Sequence, residues 1–178
     1  MVSPEKRRAM KRLPMAVRGA LVLALAIVGF PDDADAAGNR ACALLTSAEI
    51  QEALGAKVSG LDGGGAQGDA VICTGNIPTG KVMLRTATRK AGEERNIEAE
   101  GIKIAEKMGA KVEVKTFGAI TCSTLIPSKS MEELGFNTTC AVLKGTRVGA
   151  VEVTAKAQKD MVPIEKLRPL AEKIADRL

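Results

Sequence analysis

The segment Cys42-Ala-Leu-Leu-Thr-Ser-Ala-Glu-Ile-Gln-Glu-Ala-Leu-Gly55 returns in altered form as Cys122-Ser-Thr-Leu-Ile-Pro-Ser-Lys-Ser-Met-Glu-Glu-Leu-Gly135. The two copies align without a gap and share five residues, among them the opening cysteine and the closing Leu-Gly pair. Each copy has the pattern of a cysteine followed by a short helix that a glycine ends. We therefore expect an internal duplication, with halves at about residues 42–108 and 111–178.

Capping residues favour a helix in both copies. In the first copy Thr46 is placed as the N-cap and Glu49 follows three residues later, which is the pattern of a capping box. In the second copy Pro127 suits the first helical position. Met131 and Leu134 then lie on one side of the helix, and we expect this side to be buried.

The cysteines predict two disulfide bonds. A second cysteine follows each copy, at Cys73 and Cys140, and four cysteines allow three pairings. We expect Cys42 to pair with Cys73 and Cys122 with Cys140, because the cysteine of each copy is then bonded to the next cysteine in the chain. In the chain-entropy model, loops of this size each stabilise the fold by roughly 3 to 4 kcal/mol. A thiol redox site is disfavoured because no C-x-x-C pair occurs.

The beginning of the chain has the pattern of a secretory signal peptide. A basic stretch at residues 6–12 precedes an apolar run from Gly19 to Phe30. The run is shorter than the roughly 20 residues that span a bilayer, so we expect cleavage and no stable membrane insertion afterwards. Ala34 and Ala36 place the cut after Ala36. Residues 37–178 would then form a single mature domain in the periplasm or outside the cell.

Beyond the repeated segments, the pattern predicts two strand pairs and two long helices. The strand pairs lie at about residues 70–88 and 138–155. The helices lie at about Glu93 to Met108 and Ile164 to Leu178, where apolar residues recur every three to four positions. We expect an α+β domain in which two long amphipathic helices cover an antiparallel sheet. The order cysteine, short helix, hairpin, long helix would occur twice.

A glycine-rich stretch distinguishes the first half from the second. Three consecutive glycines lose much conformational entropy on ordering, so this stretch predicts a mobile loop. It lacks the alternating oxygen ligands of a calcium loop. We take it as a candidate binding loop, formed by Asp62, Gly63, Gly64, Gly65 and Asp69.

Side chains suited to catalysis are scarce. The chain has no histidine, which removes the commonest general base and metal ligand. If the cysteines are oxidised, a thiolate metal site is removed as well, and we expect no cofactor and no metal. Four glutamates near the start of the first long helix could supply a carboxylate pair for hydrolysis, although acidic residues there also complement the helix dipole. They are Glu93, Glu94, Glu98 and Glu100.

Charge and aromatic content disfavour nucleic acid as a partner. The net charge is only +5, and part of it lies in the predicted signal peptide. Phe117 and Phe136 are the aromatic residues after the predicted signal peptide, too few for a surface on which bases stack.

The opening Cys42-Ala-Leu-Leu-Thr46, with Glu49 and Ile50 behind it, resembles a class of uncharacterised secreted bacterial proteins and lipoproteins. Their mature domains begin with C-x-L-L-T-x-x-E-[IV] and close with a long helix like Leu167 to Leu178. Some of them are similar to the Mog1/PsbP α/β/α sandwich, and the resemblance implies that fold here. The resemblance implies no catalytic residue in this chain. This chain departs from the class in lacking a lipobox and in having few aromatic residues.

These patterns favour an exported, soluble, non-enzymatic domain that binds an unknown partner or small ligand in the cell envelope. Two alternatives remain open, a carboxylate-based hydrolase and a purely structural component of the envelope. Turnover that depends on glutamate would favour the first alternative. A change in envelope integrity without any ligand would favour the second.

Overall fold

The computed structural model describes residues 40–89 and 97–178. The predicted signal peptide, residues 1–36, lies outside these ranges. Within them, the helices are α1 (Ser47–Leu54), α2 (Ile97–Lys107) and α3 (Ile164–Arg177). The strands are β1 (Ser59–Gln67), β2 (Ala70–Ile77), β3 (Gly80–Thr88), β4 (Lys111–Phe117), β5 (Ile120–Ile126), β6 (Phe136–Lys144) and β7 (Arg147–Ala155). Two short 3-10 helices span Lys129–Leu134 and Gln158–Asp160.

All seven strands form one antiparallel sheet in the order β1-β2-β3-β7-β6-β5-β4. β3 pairs with β7 along its whole length, so the sheet continues from the first predicted half into the second. β1 and β4 are its two edge strands. Among the described residues, no helix is long and apolar enough to cross a membrane.

The expected cover of two long helices is wrong. Only α3 has that role within the described ranges: it packs on β5, β6 and β7 and buries Leu167, Leu170 and Ile174. α2 lies against the edge strand β4. The side chains of Ile104 in α2 and Met108 directly after it are 58% and 55% exposed. Periodicity shows which side of a helix is apolar, but it does not show what that side packs against.

The expected internal duplication is also wrong. Cys42 precedes α1, whereas Cys122 lies inside β5. The first copy forms an α-helix that buries Ile50 and Leu54. The second copy forms a 3-10 helix with no buried residue, and its Leu134 is 64% exposed. The shared residues are mostly helix and stop signals, which do not fix the tertiary surroundings of the backbone.

The predicted capping box at the start of α1 is confirmed. The backbone N–H of Glu49 donates to Thr46 Oγ1 at 3.2 Å, and the backbone N–H of Thr46 donates to Glu49 Oε2 at 2.9 Å. Gly55 ends the helix in a left-handed conformation, with φ of 68°. Thr46, Glu49 and Gly55 therefore mark both ends of α1 through local contacts.

Both predicted disulfide bonds are confirmed. Cys42 is bonded to Cys73, which ties the residues before α1 to β2. Cys122 is bonded to Cys140, which lies directly opposite it on the neighbouring strand β6. Cys73, Cys122 and Cys140 are fully buried, so the disulfides form part of the core between the sheet and α3.

Candidate functional site

A groove of about 440 Å³ lies between the edge strand β4 and helix α3. Its volume falls within the roughly 300 to 1,000 Å³ of typical ligand sites. Strand alternation places two lining residues of β4 on one face, and helical spacing places those of α3 on one side. The lining residues are Lys115, Phe117, Glu165, Arg168, Pro169 and Glu172.

An arginine stacked on an aromatic ring forms one part of the groove. The guanidinium carbon of Arg168 lies 4.6 Å from the centroid of the Phe117 ring, within the range of a cation–π contact. Arg168 Nε also donates to Glu172 Oε1 at 2.9 Å, one helical turn away. The guanidinium of Arg168 therefore contacts both the Phe117 ring and the Glu172 carboxylate.

A lysine between two carboxylates forms another part. Lys115 Nζ lies 3.1 Å from Glu113 Oε1 and 3.5 Å from Glu165 Oε1. Glu113 and, to a smaller degree, Glu165 raise the pKa of Lys115 above its ordinary value. The pKa of Glu165 is lowered, mainly by a hydrogen bond from its own backbone N–H and also by Lys115. Lys115 and Glu165 are therefore both charged at neutral pH.

The charges of the groove are balanced and open to solvent. Lys115 and Arg168 face Glu165 and Glu172, and all four side chains are 44–70% exposed. Exposed ion pairs contribute little to stability, so a ligand can exchange them for its own contacts. A molecule with both an acidic and a basic group matches this arrangement, and an aromatic or apolar part would fit beside Phe117.

The predicted binding loop is a strand in the structure. Residues Asp62 to Gly65 lie in β1, and Asp69 lies in the tight turn to β2. The expectation of a mobile loop is wrong because β1 pairs with β2 through backbone groups, which glycine possesses like any other residue. Two irregularities in the β1–β2 register absorb the glycines. A binding role for Asp62, Gly63, Gly64, Gly65 and Asp69 stays a prediction.

The candidate catalytic carboxylates do not form a described site. Glu93 and Glu94 lie outside the described residues, and Glu98 and Glu100 lie in the part of α2 described by its backbone alone. In residues 40–89 and 97–178, no group of three or more His, Cys, Asp or Glu side chains could hold a metal ion.

The sheet face opposite α3 carries a carboxylate between hydroxyl groups. The hydroxyls of Thr139 and Thr154 donate to the two oxygens of Glu152, each at 3.4 Å. Met83 lies opposite Glu152 on β3. One solvated, partly polar face is common in antiparallel sheets, so this face needs no ligand to explain it.

Sequence reasoning missed the groove because its two sides are far apart in the chain. Glu165 follows Lys115 by 50 residues, and no local pattern shows that they meet. Phe117 was a weak indication of a binding surface, because it is one of two aromatic residues after the predicted signal peptide. Phe136 is buried, whereas Phe117 is partly exposed at the groove.

The chain matches no protein-family model, no curated protein and no solved structure. The resemblance of the opening at Cys42 to secreted bacterial proteins therefore stays a prediction.

Proposed function

We propose that this protein is an exported, non-enzymatic domain that binds a partner or small ligand of the cell envelope in the groove between β4 and α3. The groove carries the proposal, because it combines a volume suited to a small ligand with balanced, exposed charges. The stacked pair of Phe117 and Arg168 adds a flat surface on which a planar or apolar group can lie.

The disulfide bonds support an oxidising location. Such bonds persist in the periplasm and outside the cell and are rare in the reducing cytosol. Cys42–Cys73 and Cys122–Cys140 are both formed. The signal pattern of residues 1–36 agrees with this compartment.

The chemistry of the groove supports binding over hydrolysis. A general acid needs a carboxyl group whose pKa is raised towards neutrality. The pKa of Glu165 is lowered, which is the opposite shift. Arg168 pairs with Glu172, the other carboxylate of the groove. Both carboxylates are therefore suited to recognise the basic group of a ligand, such as an amine of a peptide segment.

Binding can be located by NMR on the oxidised protein labelled with ¹⁵N. Fractions of envelope extract, separated into small molecules, peptides and proteins, are added one at a time. We expect one fraction to shift the backbone amide signals around Phe117 and Arg168 while those of β1 stay unchanged. Phe117→Leu or Arg168→Gln should weaken binding of that fraction by about tenfold, equivalent to 1.4 kcal/mol.

The matched control is Lys159→Gln, which removes one exposed cation from the 3-10 helix Gln158–Asp160, outside the groove. Its affinity should equal that of the unsubstituted protein. Shifts that map to β1 would instead support the glycine-rich segment as the site. If no fraction produces shifts, the binding proposal fails and a structural role is favoured.

A further inference from the structure

Among the described residues, the edge strand β4 is regular and no strand pairs with its outer side. Its seven residues pair with β5 without a register shift. Glu113, Val114, Lys115 and Thr116 are all exposed, and Val114 is 45% exposed. An edge of this kind presents unpaired backbone groups that can pair with another strand.

The structure shows which residues of β4 point their backbone groups outward. Phe117 and Ile120 flank the two-residue turn at residues 118–119, and such flanking residues form a hydrogen-bonded pair. Hydrogen-bonded and non-hydrogen-bonded pairs alternate along an antiparallel ladder. Lys115 and Glu113 are therefore bonded to β5. Val114, between them, directs its N–H and C=O to the free edge.

The disulfide geometry leads independently to the same assignment. Cys122 and Cys140 are direct partners on β5 and β6, and their Cα atoms are 4.0 Å apart. Such a short distance marks a non-hydrogen-bonded pair. The backbone groups of Cys122 then point away from β6 and towards Lys115. By alternation, Val112, Val114 and Thr116 present free backbone groups.

The sequence of β4 is complementary to itself. Lys111–Phe117 reads Lys-Val-Glu-Val-Lys-Thr-Phe and has Val114 at its centre. If two copies pair antiparallel about Val114, all seven residues overlap. Glu113 of each copy then lies opposite Lys115 of the other. These are non-hydrogen-bonded positions, where facing side chains are closest.

In the same register, the outward backbone groups of the two copies meet. Val114 pairs with Val114 of the second copy, and Val112 pairs with Thr116 of the second copy, on both sides of the two-fold axis. Three such pairs form about six backbone hydrogen bonds. Registers centred on Glu113 or Lys115 would instead place like charges opposite each other, which is destabilising.

Exposed apolar side chains lie at this edge as well. Among the described residues, five large hydrophobic side chains are exposed, and three belong to α2, β4 or the residues that join them. They are Ile104, Met108 and Val114. Because α2 contacts β4, which follows it in the chain, these side chains lie near the strand with which a second copy would pair.

The other edge of the sheet offers no comparable ladder. Gly60 and Gly65 of β1 have positive φ values of 62° and 96°, and the β1–β2 register shifts twice. A partner strand cannot follow such a backbone with regular hydrogen bonds. The free edge of β4 is therefore the better surface for strand pairing.

From these observations we infer that the protein forms a two-fold symmetric dimer through antiparallel pairing of β4 with β4 of a second copy, centred on Val114. The interface is isologous and closed. It joins two seven-stranded sheets into one continuous sheet, and it shares Lys115 of β4 with the groove.

Charge reversal tests this register. The oxidised protein is studied by sedimentation equilibrium from about 1 μM to about 1 mM, a range that covers weak dimers. Glu113→Lys alone and Lys115→Glu alone each place like charges opposite each other at two positions, and we expect each to weaken dimerisation at least tenfold. In an equimolar mixture of the two variants, positions 113 and 115 are lysines in one chain and glutamates in the other. Opposite charges then face each other at both positions, so the two variants should form a heterodimer. The doubly reversed protein should dimerise like the unsubstituted one.

A backbone variant provides an independent measurement. Val114→Pro removes an N–H that points outward, so the pairing of β4 with β5 is kept, and proline is tolerated on such edges. It should abolish the dimer while the thermal unfolding of the monomer remains cooperative. A monomeric unsubstituted protein at the highest concentration would overturn the inference. So would a dimer that resists both the charge reversals and Val114→Pro, or a mixture of the two single variants that stays monomeric.

Discussion

Replacing Glu49 with glutamine would separate two roles of one carboxylate. Glu49 completes the capping box of α1, since its Oε2 accepts the N–H of Thr46 at 2.9 Å. It also accepts two hydrogen bonds from the guanidinium of Arg177 near the end of α3, at 2.7 and 2.9 Å. Lys173 approaches within 3.4 Å. The same Arg177 donates to the carbonyl of Leu44 at 2.6 Å, so this contact joins the two ends of the domain.

The structure sets the size of the effect. Glutamine still fits a capping box, so Glu49→Gln removes mainly the ionic part of the contact with Arg177. Arg177 is 38% exposed, and solvent reduces such a pair to about 1 kcal/mol. Glu49→Ala also removes the acceptor of the Thr46 backbone N–H, the second half of the capping box, and this hydrogen bond contributes about 1 kcal/mol more. We expect the free energy of unfolding to fall by about 1 kcal/mol in the first variant and about 2 kcal/mol in the second, measured by urea denaturation.

The effect should depend on pH with a definite sign. Arg177 and the backbone N–H of Thr46 hold the pKa of Glu49 far below its usual value of 4.5. A lowered carboxyl pKa contributes stability above the unfolded-state pKa, and this contribution is lost as pH falls through the folded-state value. The difference between the unsubstituted protein and Glu49→Gln should therefore be constant at neutral pH. It should shrink steadily as the pH falls below 4.5.

Glu52→Gln is the matched control, because Glu52 is exposed on the same helix and such substitutions usually change stability by less than about 0.5 kcal/mol. Equal losses for Glu49→Gln and Glu52→Gln would refute the reasoning. A loss that persists unchanged at pH 2 would also refute it, since the carboxyl would then not titrate as the contact with Arg177 requires.

Two further predictions concern the core and the disulfides. Gly149→Ala should destabilise the fold by about 1 to 3 kcal/mol, because the new Cβ would lie 2.5 Å from Cγ2 of the buried Ile174. Gly101→Ala places its Cβ where no atom lies within 4 Å, so it should stabilise α2 by about 0.5 to 1 kcal/mol. Urea denaturation curves that give the two variants equal stability would contradict this prediction. Replacing both Cys42 and Cys73 with alanine should lower the free energy of unfolding by roughly 3 to 4 kcal/mol, as expected for a 31-residue loop. An unchanged midpoint of urea unfolding would count against this prediction.

Local signals predicted the elements whose stability is local. Thr46, Glu49 and Gly55 specify α1 through contacts within ten residues, which is why the capping pattern could be recognised in the sequence. The disulfide pairing was predictable because sequence neighbours were paired and neither loop had to cross the other. The amphipathic pattern of α3 correctly predicted which side of the helix is buried, because this helix packs on the sheet with its apolar side.

The remaining features depend on partners that are distant in the chain. The glycines of β1 have no side chains to mark a strand, and the segment is ordered by the backbone of β2. The apolar side of α2 has the correct period, yet Ile104 is exposed. The groove arises where Lys115 of β4 meets Glu165 of α3. In each case the deciding contact lies between segments, so no window of the sequence contains it.

The two sheet edges link these mispredicted features to the inferred dimer. A regular open edge invites uncontrolled pairing, and proteins commonly protect it with bulges or charges. β1 has the first device in its register shifts, and Gly60 and Gly65 have positive φ in the same strand. β4 has only charges, and Glu113 and Lys115 are of opposite sign around Val114. If both charges had the same sign, β4 would repel any other copy of the chain. With opposite signs, the registers centred on Glu113 or Lys115 are repelled, and the register centred on Val114 is attracted. If β4 pairs as inferred, the irregular backbone of β1 protects one edge of the sheet and leaves the other edge for selective pairing.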